Sequence, residues 1–317
     1  MKRMKKRLYR GLLTSLLLLV VAAAAHASDA KPKVFMTRDI SPNGLMAAYK
    51  ALEREPSGKV AVKISTGEAG NPHYLSPILI KDLVQSVSGS IVECNTAYGG
   101  SRAETAMHRQ VAKDHGFTAI AEVDIMDADG EVALPVNGGK NLKENYVGKN
   151  FKNYDFYVVL SHFKGHAMGG FGGAVKNVSI GIASSSGKAW IHSAGTSKTN
   201  PWGGAQDAFL ESMAEATKSV SDYLDNGKKI LYVSVMNHLS VDCDCDGNPA
   251  APDMHDIGIL SSLDPVALDQ ACVDLVYAAP DGKSLIERIE SRNGVHTLAH
   301  AEAIGLGSRA YDLVRLD

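Results

Sequence analysis

The chain has 317 residues, 45% of them apolar and 21% charged, with 30 glycines and 11 prolines. That is a globular composition, and it excludes a disordered, collagen-like or coiled-coil chain. Acidic residues (35) slightly outnumber basic ones (33) and aromatics make up 6%, so the electrostatic footprint of a nucleic-acid binder is missing.

In chain order, six basic residues stand in the first ten, an apolar run of fifteen follows at 11–25, and Ala25-His26-Ala27 fits a small-x-small cleavage site. This layout predicts a secretory signal peptide over 1–27 and an α/β domain over 28–317, either single or built of two tightly packed lobes. The apolar run is shorter than the ~20 residues a spanning helix needs, so the expected product is periplasmic or extracellular and free of the membrane after cleavage. No cysteine lies near the cleavage site to take a lipid, and the paired arginines of folded-state export are absent, which predicts export in the unfolded state.

Beyond the leader, strand-like runs at 33–37, 59–64, 90–94, 119–124, 156–161, 230–236, 257–260 and 311–316 alternate with helix-like stretches. The helices fall at 44–54, 77–87, 102–114, 205–224, 265–277 and 284–292. Such alternation predicts an α/β fold with a parallel or mixed sheet and helices on both faces. Ligands in these sheets bind beyond the carboxyl ends of the strands, which directs attention to the loops at 65–74, 95–102, 162–176 and 237–256.

The loop at 165–176 is rich in glycine but is neither a P-loop, because Lys176 is followed by Asn177, nor a dinucleotide fingerprint, because the third glycine is missing. What remains is a loop where backbone at Gly169, Gly170, Gly172 and Gly173 can approach a cofactor or small ligand closely, flanked by His162, Lys164, His166 and Lys176. Arg102, at the expected start of a helix, suits an anionic group. Asp242-Cys243-Asp244-Cys245-Asp246 offers soft ligands for zinc, iron or nickel, with a histidine to complete the set. In an oxidising compartment the same cysteines can pair as a disulfide, with each other or with Cys94 or Cys272. Cys272, inside an apolar helix, reads as a core thiol.

The runs STGEAGN, CNTAYGGSR, HFKGHAMGGFGGAVKNVSIGIAS, SGKAWIHS, DCDC, PDMHDIGILSSLDPVALDQAC and IGLGSRAYDL resemble the domain-of-unknown-function family 362, whose members are often labelled iron-sulfur-associated. The resemblance implies that an iron-sulfur cluster is a candidate cofactor; many relatives carry a ferredoxin-like module with C-x-x-C repeats, and this chain has no C-x-x-C. More faintly, the stretch from His166 to Lys176 is similar to the nickel-pincer lactate racemases. That likeness implies His166 as general base, Lys176 as cofactor attachment point, His192 as metal ligand beside Cys243 and Cys245, and Arg102 as carboxylate clamp.

Together these readings predict an exported metal-binding protein, a metal-dependent oxidoreductase or isomerase of a small anionic substrate. The alternative is a non-catalytic extracytoplasmic protein that binds a metal or small ligand.

Overall fold

Alternation of apolar residues within the strands sends one set of side chains to each side of a sheet, and that pattern organises the fold. The computed structural model describes residues 30–317; the expected signal peptide lies outside them. Pro32–Asp317 form one compact unit.

An eight-stranded sheet is built from β1 (Lys33–Thr37), β2 (Val60–Lys63), β3 (Ser90–Glu93), β4 (Val123–Ile125), β7 (Phe156–His162), β10 (Ile230–Met236), β11 (Gly258–Ser262) and β12 (Asp312–Arg315). Its order is β12-β1-β11-β10-β7-β2-β3-β4. β11 runs antiparallel to both its neighbours and every other pairing is parallel, so the sheet is mixed. Two hairpins stand apart from it: β5 (Glu131–Pro135) with β6 (Glu144–Gly148), and β8 (Lys164–His166) with β9 (Gly170–Gly172).

Val60, Val62 and Ile64 face one side, where Leu45, Ala48 and Tyr49 of α1 (Pro42–Lys50) and Leu79, Ile80 and Leu83 of α2 (Pro77–Ser86) cover them. Ala61, Val92, Tyr157 and Tyr232 face the other. There they meet Ala174, Val175 and Val178 of α4 (Ala174–Ile182) and Leu268, Ala271 and Cys272 of α7 (Pro265–Ala278). The remaining helices are α3 (Thr105–Asp114), α5 (Ser185–His192), α6 (Gln206–Tyr223), α8 (Lys283–Ser291) and α9 (His296–Ala303). The expected α/β fold, with a mixed sheet and helices on both faces, is the one found. Among the described residues, no helix is long and apolar enough to cross a membrane.

Helix starts follow capping chemistry. Ser41 and Ser76 cap α1 and α2, each with proline in the first turn, and Asp264 accepts from the Val266 and Ala267 amides to cap α7. The start of α4 has no local cap. Instead Asp269, from the middle of α7, reaches across and accepts from Ala174 N at 2.7 Å and Val175 N at 2.9 Å. A Cβ on Gly173 would stand 2.2 Å from Asp269 Oδ1, so only glycine admits this cap. Burial pushes the Asp269 carboxyl up to about 7 despite the two amide donors.

Asp269→Ala leaves two buried amides without acceptors and should cost about 3 kcal/mol. Asp269→Asn, which keeps one acceptor, should cost less. Urea unfolding of the two variants measures both.

Candidate functional site

β10, β7, β2 and β3 are consecutive in the sheet, so the loops leaving their carboxyl ends converge on one place. That place is a cleft of about 650 Å³ lined by all four loops together with α4 and α5. Its walls carry five cationic side chains, Lys63, Arg102, Lys164, Lys176 and Lys188, against two carboxylates, Glu93 and Asp244.

Each carboxylate is shared between a cation and a histidine. Asp244 accepts from Lys164 Nζ at 3.0 Å and lies 3.0 Å from His162 Nδ1, whose other ring nitrogen meets the Asn237 carbonyl at 2.7 Å. Burial alone would raise the Asp244 carboxyl; His162 and Lys164 more than offset this and hold it below the usual carboxylate range. Glu93 accepts from Arg102 at 3.2 Å, meets His108 Nε2 at 3.0 Å, and takes the hydroxyl and amide of Thr66. Burial raises its carboxyl too, and Arg102, His108 and Lys63 outweigh it. Arg102 is held further by Glu68 at 3.3 Å.

Two lysines sit in almost complete burial on backbone acceptors. Lys63, 1% exposed, donates to the Ile64 carbonyl and to Asn177 Oδ1 at 3.0 Å; burial pushes it down to about 8, Glu93 opposing and Lys188 adding to the shift. Lys188 donates to the carbonyls of Ala183 at 2.6 Å and Cys94 at 3.4 Å. Lys176 differs. It lines the cleft one turn into α4, and among the described residues its ammonium has no hydrogen bond or ion pair. Burial first, then the nearby Arg102, pushes it down to about 8.

The site residues expected from sequence fall into three sets. Arg102, Lys164, Lys176, Cys243 and Cys245 line the cleft together, with Gly172 and Gly173 supplying bare backbone. Gly169 and Gly170 turn the β8–β9 hairpin instead: Gly170 has a φ of +80°, and the Gly169 amide donates to His166 Nδ1 at 2.8 Å. α3 starts at Thr105 and not at residue 102, so Arg102 works from the preceding turn, with its guanidinium on Glu68 and Glu93.

A ring nitrogen of His166 and the sulfurs of Cys243 and Cys245 lie within 4.8 Å of one another, a grouping that could hold a metal ion. His192 is not part of it. Its Nδ1 meets the Lys188 carbonyl at 2.7 Å and its ring stacks on Phe209 at 4.8 Å, while burial pushes it down to about 4. The cysteines are joined as a disulfide, the alternative that the sequence left open against metal ligation. Bonded sulfurs are not thiolate donors, and the Gly169 amide already occupies the Nδ1 lone pair of His166. In this arrangement the trio does not fit a resident metal. A four-thiolate cluster does not fit either, because Cys94, whose thiol is pushed up to about 12 by burial and donates to the Ile182 carbonyl, and Cys272 stand outside the group.

Glu93, Lys63 and Lys188 were not singled out by sequence reasoning, and Asp244 entered it only as one member of the acidic C-x-C run. Glu93 and Lys63 end strands that otherwise read as apolar, and a charged residue at such a position was the available signal.

The chain belongs to the family described as Domain of unknown function (DUF362), whose pattern matches residues 60–274, from β2 into α7. No curated protein matches it in sequence. Solved structures of similar fold include the lactate racemase apoprotein from Thermoanaerobacterium thermosaccharolyticum, with 13% identity over 78% of this chain and 57% of that one and a TM-score of 0.43. Another is a protein from Thermotoga maritima, with 15% identity over 73% and 57% and a TM-score of 0.41. The chain spans little more than half the length of either. The family resemblance read from the motifs is thus confirmed.

Because the Glu93 carboxyl is depressed, the stability it supplies is present above about pH 4 and is lost as the pH falls below that value. Glu93→Gln should cost about 3 kcal/mol at pH 7 by leaving Arg102 and His108 short of a buried partner. The cost should shrink at pH 3, as chemical denaturation at the two pH values would show.

Proposed function

We propose that this DUF362 protein is an exported enzyme that takes a small anionic substrate into the cationic cleft, with Lys176 as its main charged contact. The observation that carries this reading is the charge imbalance of the walls. Lys63, Arg102, Lys164 and Lys188 are satisfied by protein acceptors, and Lys176 is left for a ligand. Lys176 is partly exposed to the cleft, so its ammonium, which has no partner among the described residues, can be reached, and an anion bearing two or more negative charges would neutralise it and the excess around it.

The class of reaction, oxidoreductase or isomerase, follows from the sequence reading, and zinc, iron or nickel chemistry was part of that expectation. The residues that would hold a metal are arranged otherwise, with the two sulfurs bonded to each other and His166 Nδ1 occupied by the Gly169 amide. Export is supported by the leader pattern and by a cysteine pair in the oxidised state, which persists in oxidising compartments. His166 would serve as a donor and not as a base: its pKa is pushed well below the ordinary value by burial and Lys176, so the ring is neutral. With Nδ1 accepting from Gly169, its proton sits on Nε2.

Inorganic phosphate and citrate should raise the melting temperature of the full chain, less so at high salt. Lys176→Ala should weaken either anion by about thirtyfold, the equivalent of ~2 kcal/mol for one charge-assisted contact. Affinity should fall as the pH rises through about 8, where Lys176 loses its proton and the neighbouring Lys63, also pushed down to about 8, loses its own; burial lowers Lys188 in the same direction, while Arg102, Asp244 and Glu93 stay charged. Calorimetry across that range measures the fall. No anion-dependent shift would remove the proposal, and tight binding with no turnover of any small hydroxy or oxo acid would turn it into the non-catalytic binding reading.

A further inference from the structure

The cysteine pair is placed for chemistry that the anion site alone does not use. Cys243 and Cys245 border the cleft, and the same two residues border a second pocket beside Tyr98, Gly99, Gly100 and Trp202. A disulfide that staples a core has no reason to face a cavity on each side. The two sulfurs also differ. Cys243 is 7% exposed, and its sulfur receives the Cys245 amide at 3.3 Å, while Cys245 is partly exposed.

The surroundings favour a thiolate at Cys243. His166, with Nδ1 occupied by the Gly169 amide, has Nε2–H as its remaining polar group, and a ring nitrogen lies within 4.8 Å of both sulfurs. Lys164, Lys176 and Arg102 line the cleft with the sulfurs. The nearby carboxylates are already engaged: Asp244 by His162 and Lys164, Asp242 by Arg288 at 3.2 Å, and Glu68 by Arg102. Asp246 accepts the Asn248 amide at the exposed end of the loop. Positive charge and an N–H donor beside a sulfur make it a good leaving group in disulfide exchange.

We propose that Cys243–Cys245 is a redox-active disulfide that exchanges with small anionic thiols drawn into the cationic cleft. A substrate thiolate attacks Cys245 Sγ; a substrate–Cys245 disulfide bond forms, the Cys243–Cys245 bond breaks, and the electron pair stays on Cys243 as a thiolate. A second substrate thiolate then attacks the substrate sulfur of the mixed disulfide and releases the substrate disulfide and a Cys245 thiolate. In sum two thiols are oxidised, the protein disulfide accepts two electrons, and the two protons lost by the thiols end on Cys243 and Cys245. Cys94 and Cys272 are buried thiols outside this pair and take no part. The substrate class rests on the cationic-cleft reading above, whereas the position of the disulfide does not.

The test uses the full chain purified without reductant. Mercaptosuccinate, an anionic thiol, and 2-mercaptoethanol, a neutral one, are compared at equal thiolate concentration, with alkylation and mass spectrometry to count thiols. Mercaptosuccinate should open the disulfide about tenfold faster at low salt, the advantage shrinking as salt rises, and the two newly alkylated residues should be Cys243 and Cys245. In Cys243→Ser, the disulfide form of mercaptosuccinate should leave a stable mercaptosuccinate adduct on the Cys245 thiol, the other mercaptosuccinate departing as the free thiol. In Cys245→Ser, adding His166→Phe should move the pH profile of Cys243 alkylation to higher pH, which a merely structural histidine would not do.

The proposal is overturned if the disulfide resists both thiols in the folded protein, if Cys243 and Cys245 are isolated as free or metal-bound thiols, or if the neutral thiol reacts as fast as the anionic one. Should the disulfide resist reduction while phosphate still raises the melting temperature, the exchange falls and the anion site stands. Loss of the phosphate shift with brisk, salt-independent reduction by both thiols would remove the anion reading and the substrate class together.

Discussion

Each of the two carboxylates buried in the cleft must be shared by a cation and a histidine, and the geometry of the loops follows from that requirement. Removing a carboxylate from water is tolerable only when opposite charge and hydrogen bonds replace the solvent. Asp244 meets it by joining the end of β7, through His162, to the first residue of β8, Lys164, and so fastens the C-x-C loop over the hairpin. Glu93 meets it by drawing Arg102 and His108 onto the end of β3. The loop after β2 is then tied to both, through Glu68 to Arg102 and through the Glu68 amide to the Asp244 carbonyl at 2.7 Å. Three loops that share no local sequence logic become one wall.

The fold was legible because its main sheet obeys local rules. The runs at 33–37 and 230–236 match β1 and β10 at both ends, and Pro77 and Pro265 mark the starts of α2 and α7 as first-turn prolines should. Illegible parts had a common cause, the absence of a usable period. α4 reads AVKNVSIGI, β-branched and apolar on nearly every side, and it is helical because it is buried on nearly every side. Its cap comes from Asp269, 95 residues away, which no local pattern announces. The expected strand at 119–124 shortened to β4 at Val123–Ile125 behind a turn of 3₁₀-helix at Phe117–Ala119.

At the site, the strand-end rule located all four loops, and it did so without knowledge of any ligand. What it did not reveal was which charges pair. Lys63 reads as the polar end of a strand, yet its ammonium turns inward to Asn177 of α4; Lys188 falls in a stretch to which the sequence assigns no element, and it is 4% exposed. His192 and His166 are both plausible soft ligands by spacing, and only the fold separates them. Glycine richness was also ambiguous by nature: the residues that suggested a phosphate cradle include Gly173, whose missing Cβ makes room for a carboxylate of the protein itself.

That substitution bears on how the cleft can work. In a phosphate loop, the helix amides are the anion receptor and the glycines let the ligand approach. Here the first two free amides of α4 are taken by Asp269, so the helix end offers an incoming anion little, and recognition passes to side chains. Side-chain cations differ from amides in two respects. They bring net charge into the cavity, which adds to burial in lowering the affinity of Lys63, Lys176 and Lys188 for their protons, so that the proposed anion capture would depend on pH. They also extend their field to whatever else lines the cavity, and the one polarisable, electron-accepting group lining it is the Cys243–Cys245 pair. A cleft that holds anions through amides would leave such a disulfide electrostatically indifferent. A cleft that held them through Lys164, Lys176 and Arg102 would stabilise the thiolate that reduction creates, so the proposed anion site and the proposed exchange rest on the same buried charge.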